Sequence, residues 1–415
     1  MFEISESPRP MKLGINGLGR IGKLTLWHHV ARRSFSEIVV NIGRQVGQSL
    51  ADLAASIEKD STYGWLGTYL HGFKCTHVIE NLNEEEGTMT IDGVPVRILR
   101  ESRNPKEIKW REHDVSLVVD TTGVFTDPTV SADNPRGALR GHLEAGATKV
   151  ILSAPFKIRD KSKSMPEDAV TTVMGINEDD YIPERHVLIS AASCTTTCLA
   201  HMVKPILDHF GANRILTASM VTVHAATGSQ KVLDRLPASG ASDLRKNRSI
   251  FNNIILTTTG AAKALSLVIP EMKKIGFIAE SVRIPTSTGS LIVLVLTIQD
   301  ESLEKPINKY IIHDIYRNAA NGPSKGYLIF SEEQNVSSDI IGVPGAATII
   351  ESTEIHTRTA AITVNTKLAG TKEVPIEPVQ IPVTQVVIYG WYDNELGSYT
   401  NMLGERTVTL ADLML

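Results

Sequence analysis

The run Ala192-Ser193-Cys194-Thr195-Thr196-Thr197-Cys198-Leu199, followed downstream by Val223-His224-Ala225, supplies a thiol nucleophile and an imidazole base. These are the two parts of a thioester-forming enzyme. Leu199, Met202, Val203, Ile206, Leu207 and Phe210 recur at helical period and Gly211 closes the run, so a helix is expected with Ser193 as its cap and Cys194 in its first turn. A thiolate is favoured there, because unsatisfied backbone N–H groups and the positive end of the helix dipole stabilise an anion. A nearby imidazolium would lower the thiol pKa further. Taken singly, a cysteine is more often a small buried residue and a histidine a packed strand residue, so the surrounding elements must decide.

At 415 residues and 42% hydrophobic, the chain can bury two cores, and two domains of unequal length are expected. A net charge of −4 without long runs of one sign argues against nucleic acid as the main partner. The three cysteines, Cys75, Cys194 and Cys198, are too few and wrongly spaced for a disulfide framework or a Cys-rich zinc site, so no metal is expected and a reducing compartment fits. The start, Met1-Phe2-Glu3-Ile4-Ser5-Glu6-Ser7, lacks the basic and apolar blocks of a signal peptide, and nowhere do eighteen apolar residues follow one another. A soluble cytoplasmic protein with no membrane partner is expected.

Met11 to Asn16 is a short apolar run, Gly17-Leu18-Gly19-Arg20-Ile21-Gly22 follows at once, Leu24 to Arg33 continues at helical period, and Ser36 to Ile42 is a second strand. Strand, G-x-G-x-x-G, helix, strand is the context in which the motif means dinucleotide binding. Gly17 allows the tight turn, Gly19 the approach of a pyrophosphate to backbone N–H groups, and Gly22 the packing of helix on strand. A carboxylate at the end of the second strand would bond the ribose hydroxyls of NAD; here the strand ends Val40-Asn41-Ile42-Gly43-Arg44. Gly43 leaves room and Arg44 offers a guanidinium suited to phosphate, so the cofactor is NAD or NADP, with a lean that NADP is accepted. Arg44 read alone is equally an ordinary surface arginine.

Val115 to Asp120 and Lys149 to Ser153 are β-branched runs, with Leu139 to Ala147 as the helix between them. Alternating strand and helix implies a doubly wound parallel sheet, whose cofactor cleft Thr121, Thr122 and Gly123 would line. Beyond the Cys194 helix, long strands at Ile215 to His224 and Gly289 to Gln299 suggest an antiparallel or mixed sheet. Between them Arg248, the Thr257-Thr258-Thr259-Gly260 turn and Arg283 are groups that hold a phosphate, although singly each reads as a solvated charge or a helix cap.

In order, these residues resemble the glyceraldehyde-3-phosphate dehydrogenase family. The matching pieces are Gly14 to Gly22, Asp60-Ser61-Thr62-Tyr63-Gly64, Leu152-Ser153-Ala154-Pro155, Ser193 to Ala200, Thr222-Val223-His224, Leu244 to Arg248, Thr258 to Ala264, Arg283-Ile284-Pro285 and Trp391-Tyr392-Asp393-Asn394-Glu395. The resemblance implies an α/β protein: an N-terminal Rossmann-type doubly wound sheet over about 11–193, completed by a C-terminal helix at about 394–415, and a second α+β catalytic domain at 194–393. It implies Cys194 as nucleophile and His224 as base. Gly17, Leu18, Gly19, Arg20, Ile21, Thr121, Thr122, Gly123 and Ser153 would face the dinucleotide, and Asn394 would hold the nicotinamide amide. Thr227 and Arg248 would serve one phosphate pocket, and Ser193, Thr195, Thr259, Gly260 and Arg283 the substrate's phosphate and the attacking one. The implied partners are a phosphorylated aldehyde and inorganic phosphate, in a homotetramer. The implied reaction is phosphorylating oxidation of glyceraldehyde 3-phosphate through a Cys194 thioester. Alternatives are another phospho-aldehyde such as erythrose 4-phosphate, with water as attacker, or a retired enzyme that binds dinucleotide.

Several positions depart from the resemblance: Thr197 where the family has Asn, Ile42-Gly43-Arg44 at the second strand's end, and Ser398 where it has an aromatic, with Tyr399 displaced by one. The Arg235 to Gly240 stretch rewrites a loop that in the family reaches a neighbouring subunit. Insertions fall around Asp127 to Gly141 and between Ser331 and Pro382, with proline-rich Lys367 to Val383 expected as a β-arm or exposed excursion.

Overall fold

The structure, a computed structural model, describes residues 9–75, 77–364 and 379–415. The acidic start Met1–Ser7 and the 367–378 part of the expected β-arm lie outside the described residues. The chain divides into two compact units, one of residues 1–194, 341–345 and 395–415, the other of 195–340 and 346–394.

The first unit is built on a nine-stranded sheet. Leu13, Ile15, Val118, Val119, Val150 and Ile151 are fully buried, as strands covered on both faces require. Strand Arg9–Asn16 lies at the centre with Phe35–Asn41 and Val115–Asp120 parallel on either side. Beyond Phe35–Asn41 come Val94–Leu99 in parallel, then Thr88–Ile91 and Ile79–Asn83 antiparallel. Beyond Val115–Asp120 come Lys149–Leu152, Leu188–Ser190 and Ala169–Thr171, all parallel. Strand order therefore reverses at Arg9–Asn16, and the carboxyl ends on either side of it form the switch point where open α/β sheets bind ligands. The helix Arg20–Arg32 buries Leu24, Trp27 and Val30 together with His28 and His29. Arg32 ties it to the C-terminal helix Asn401–Asp412, donating to Asn401 Oδ1 at 2.8 Å. The helix expected over Leu139 to Ala147 is one turn only, Gly141–Glu144, because Gly137 and Gly146 on either side take φ of +81° and +118° and turn the chain out of helical geometry.

The second unit holds an eight-stranded mixed sheet in the order Ile255–Thr257, Gly276–Ile284, Ile215–Ala225, Ser290–Gln299, Val379–Tyr392, Thr348–Glu351, Leu328–Ser331, with His356–Val364 also paired to Val379–Tyr392. Strict alternation along Ser290–Gln299 puts Ile292, Leu294, Leu296 and Ile298 in the core and leaves the intervening residues half-buried. Of the expected arm, residues 379–383 continue the last long strand and pair antiparallel with 360–364. The helix Cys194–Phe210 lies in this unit from its second residue onward. Its inner face is fixed by Cys198, whose Sγ is 3.3 Å from Thr348 Oγ1, and by Tyr316, whose hydroxyl donates to the Met202 carbonyl at 2.6 Å.

Candidate active site

In the first unit the chain leaves Asn16 through Gly17, at φ +98°, whose N–H donates to the Asn41 carbonyl at 2.8 Å. A Cβ on Gly22 would stand 2.1 Å from the Gly17 carbonyl oxygen, so only glycine lets the helix start this close to the strand end. Gly19 differs: a Cβ there would meet nothing within 4 Å, and the residue caps Arg20–Arg32 without any side-chain bond. The helix N-terminus is thus open above Gly19 for an anion, as a dinucleotide pyrophosphate requires. Thr121 closes the other side, its hydroxyl 3.0 Å from the carbonyls of both Asn16 and Gly17. Thr122 turns its hydroxyl onto Asp120 Oδ1 at 2.7 Å, Gly123 follows at φ +66°, and Ser153 N–H donates to the Asp120 carbonyl at 2.9 Å.

Leu18, Gly19, Arg20, Lys23, Ile42 and Arg44 line a cavity of about 410 Å³ beside this turn. Arg44 is exposed there. Arg20, expected to face the dinucleotide, pairs its guanidinium with Asp60 and with Glu395, with Nη2 2.5 Å from Glu395 Oε2. Burial opposes the charge on Asp60, but hydrogen bonds from Arg20, Lys23 and the Thr62 N–H outweigh it and hold the carboxyl well below the usual range.

Cys194 opens its helix, half-buried, as the periodicity predicted. Two residues earlier Ala192 sits in the left-handed region at φ +56°, a conformation that costs about 1 kcal/mol for a residue with a Cβ. The Tyr399 hydroxyl donates to the Ala192 carbonyl at 3.2 Å and secures that bend. Tyr399 stands in a π-helical turn, Leu396–Thr400, in which the Thr400 N–H reaches back five residues to the Glu395 carbonyl at 2.8 Å.

In the second unit His224 is buried, with Nδ1 2.8 Å from the Ala225 carbonyl oxygen and 2.5 Å from Arg283 Nη1. Burial and then the Arg283 cation push its pKa down to about 3, so the imidazole is neutral near pH 7. Tyr392 links the start of the Cys194 helix to the strand of His224, its hydroxyl 3.0 Å from Thr195 Oγ1 and 2.7 Å from Thr222 Oγ1.

The remaining expected residues are found in local bonds. Thr227 holds Gln230 Oε1 at 2.8 Å; Arg248 pairs with Asp234 at 2.9 Å, both largely exposed; Thr259 Oγ1 accepts from the Ala261 N–H at 3.2 Å, with Gly260 as helix cap. A screened pair such as Arg248–Asp234 is worth under about 1 kcal/mol and leaves the arginine available to an anion. Asn394 has its oxygen fixed by the hydroxyls of Thr288 at 3.1 Å and Ser290 at 2.9 Å, so its NH₂ is the end that can donate to a ligand. Among the described residues no group of three His, Cys, Asp or Glu is placed to hold a metal, and no helix is long and apolar enough to cross a membrane.

A family model for the glyceraldehyde 3-phosphate dehydrogenase NAD binding domain matches residues 11–128, and one for the C-terminal domain of the same enzyme matches residues 193–367. The chain belongs to the glyceraldehyde-3-phosphate dehydrogenase family. It is 35% identical over 403 residues to glyceraldehyde-3-phosphate dehydrogenase 2 of Streptomyces avermitilis, covering 96% of this chain and 98% of that one. It is 35% identical over 388 residues to glyceraldehyde-3-phosphate dehydrogenase 2 of Bacillus subtilis, covering 93% of each, and 34% identical over 408 residues to the chloroplastic A enzyme of Chlamydomonas reinhardtii, covering 98% of this chain and 89% of that one. It is an NAD(P)-dependent oxidoreductase of the glyceraldehyde-3-phosphate dehydrogenase type. Sequence reasoning gave no role to Tyr392, Glu395, Asp120 or His142, which the structure places in the bonds that hold these segments. The available signal was a polar residue interrupting or ending an apolar strand, as Asp120 does.

Proposed function

We propose that the protein catalyses the phosphorylating oxidation of glyceraldehyde 3-phosphate to 1,3-bisphosphoglycerate through a thioester on Cys194. What supports this reading is a half-buried cysteine at a helix start in the first unit and, in the second, a buried histidine held neutral beside Arg283. The Cys194 thiol, ionising as it attacks, adds its sulfur to the aldehyde carbon and its proton ends on the aldehyde oxygen; neutral His224 then takes the proton of that hemithioacetal hydroxyl through Nε2, while Nδ1–H is held by the Ala225 carbonyl. A nicotinamide dinucleotide, when bound, would supply the hydride acceptor for that carbon. The Cys194 N–H at the helix start steadies the oxyanion, and His224, now protonated, returns its proton as inorganic phosphate attacks the thioester and expels the thiolate.

Arg283, Arg248, Thr227, Thr259, Gly260 and Ser193 serve the two phosphate positions, and the Asn394 NH₂ serves the nicotinamide carboxamide. Gly17, Leu18, Gly19, Ile21, Thr121, Thr122, Gly123 and Ser153 cradle the dinucleotide, and NADP is accepted because Arg44 and not a carboxylate follows Gly43. A homotetramer is supported by the open face of the second unit's sheet, where Leu256, Ile278 and Val221 are 55, 65 and 38% exposed beside half-buried Val293 and Tyr389. Three cysteines outside disulfides fit a cytoplasmic setting.

Initial rates with glyceraldehyde 3-phosphate and erythrose 4-phosphate, each with NAD and NADP and with phosphate present or omitted, test the reading. Phosphate-dependent reduction with glyceraldehyde 3-phosphate is expected. Turnover indifferent to phosphate, or dinucleotide binding with no turnover of either aldehyde, would reject it.

A further inference from the structure

Behind the dinucleotide loops of the first unit lies a closed polar network that no expected role absorbs. Asp120, His142 and Trp110 are fully buried, and Asn16 and Asn41 are 2% exposed. Asp120 Oδ2 accepts from Asn16 Nδ2 at 2.9 Å and from His142 Nε2 at 3.0 Å; Oδ1 accepts from the Thr122 N–H at 3.0 Å and the Thr122 hydroxyl at 2.7 Å. Trp110 can only donate, and its Nε1–H reaches His142 Nδ1 at 2.9 Å. That bond fixes the tautomer: Nδ1 is the acceptor, so Nε2 carries the hydrogen that Asp120 receives. On the other side Asn41 Nδ2 donates to Asn16 Oδ1 at 2.9 Å and to the Ser102 carbonyl at 3.0 Å.

The placement is what gives the network meaning. Asn16, Asn41 and Asp120 are the last residues of three adjacent parallel strands, in register with one another. The next residues along the chain are Gly17, Ile42 and Thr121, the starts of the segments that would cradle pyrophosphate, adenosine ribose and nicotinamide side. Apolar residues of like volume would serve the core as well, since burying a charge and several amides is costly unless each is satisfied. Here each is, and the carboxylate is oriented at both oxygens.

We propose that His142 is a positioning residue for dinucleotide binding: by donating to Asp120 it fixes the carboxylate that holds the Thr121–Gly123 turn through Thr122 and the Gly17 turn through Asn16. This rests on the reading that the dinucleotide lies over these strand ends.

The test compares His142→Gln, whose amide nitrogen can stand where Nε2 stood, with His142→Asn, whose nitrogen stands nearer Nδ1 and cannot reach Asp120. Dissociation constants for NAD and NADP, KM and kcat, and thermal midpoints are measured for both and for wild type. Displacing the turn by a fraction of an ångström is expected to raise the Kd and KM for the dinucleotide about tenfold in His142→Asn, with most of the loss in KM, and His142→Gln is expected to restore binding to within about threefold. Thr122→Val, which removes one donor from Asp120 Oδ1 at a partly exposed turn, should raise the Kd in the same direction. Equal losses in His142→Asn and His142→Gln, a fall confined to the thermal midpoint, or an unchanged Kd in Thr122→Val would overturn the role of His142 while leaving the enzyme reading intact. A wild type that binds neither dinucleotide would sink both.

Discussion

Arg283 sets Nη1 2.5 Å from Nδ1 of His224, on the same ring nitrogen that lies 2.8 Å from the Ala225 carbonyl oxygen. A guanidinium can only donate and a carbonyl can only accept, so the two contacts call for opposite states of one nitrogen. With the hydrogen on Nδ1 and shared with Ala225, Nε2 carries the lone pair of a base; with Arg283 donating to Nδ1, Nε2 is blocked. Under the proposed mechanism, a phosphorylated substrate that draws Arg283 onto its own phosphate would favour the first state, and Arg283 would then bear on the base as well as on phosphate.

Arg283→Leu separates those two effects by pH. Burial, the larger cause, remains, while the second cause, the cation, is gone, so the His224 pKa should rise from about 3 toward its ordinary value. The base works unprotonated, hence the acid limb of the kcat/KM profile should move to higher pH in the variant. KM for the phosphorylated aldehyde should rise about tenfold or more from loss of a charge-assisted donor. An acid limb in the same place as wild type, measured across the range where the variant stays folded, would show that the cation does not govern the base.

Cys194→Ser should lose dehydrogenase activity and keep dinucleotide affinity, because a serine hydroxyl is not ionised near neutrality and makes a poor acyl leaving group. Cys198→Ser is the control. Its sulfur is one helical turn on, packed on Thr348, and it should lower the thermal midpoint modestly without changing kcat. Retention of more than a few per cent of activity in Cys194→Ser removes that residue from the nucleophile's role.

Acid should destabilise the first unit before it reaches the catalytic groups. His28 and His29 are both 1% exposed; burial, then Arg32, lowers His28 to about 3 and His29 well below its ordinary value. Both are neutral in the fold and protonate near 6.5 once unfolded, so their contribution is complete above pH 6.5 and is lost as pH falls toward the folded pKa, at about 1.4 kcal/mol per pH unit for each. Neither His29 ring nitrogen has a hydrogen-bond partner among the described residues, so His29→Leu should be tolerated and should flatten the fall in denaturation midpoint between pH 6.5 and 4. A slope equal to wild type would mean the histidines are not its source.

The parts of this fold that were legible are those with a period or a forced conformation. The alternation along Ser290–Gln299, the apolar face of Cys194–Phe210 and the glycines of the first turn each follow from local chemistry visible in a single chain. Residues that act by meeting across the sheet were not legible. Asp120 and His142 are 22 positions apart, and Arg20 meets Glu395 across 375. The ion pairs of Arg20 were hidden in the same way, because the carboxylates that take part in them lie far along the chain, at positions 60 and 395. The π turn Leu396–Thr400 that carries Tyr399 was likewise not legible, since its extra residue per turn has no sequence period of its own.

The cofactor lean sharpens at Gly43. From sequence alone, Gly43→Asp reads as a route to NAD, since it adds a ribose acceptor that repels the 2′-phosphate. The backbone forbids the simple version: Gly43 has φ +59°, and a Cβ there would lie 2.5 Å from the Ser102 carbonyl oxygen and 2.8 Å from Arg103 Cγ. That carbonyl is pinned by Asn41, so it cannot give way without disturbing the strand ends. Gly43→Asp should therefore weaken both cofactors and lower the thermal midpoint rather than switch preference. Arg44→Ala is the clean probe, because Arg44 is exposed and its loss leaves packing alone. It should raise the Kd for NADP at least tenfold, the effect of one charge-assisted phosphate contact worth ~1.5–3 kcal/mol, while changing the Kd for NAD less than about twofold. Equal changes for the two dinucleotides would return Arg44 to the solvated surface and leave the missing carboxylate without a phosphate partner.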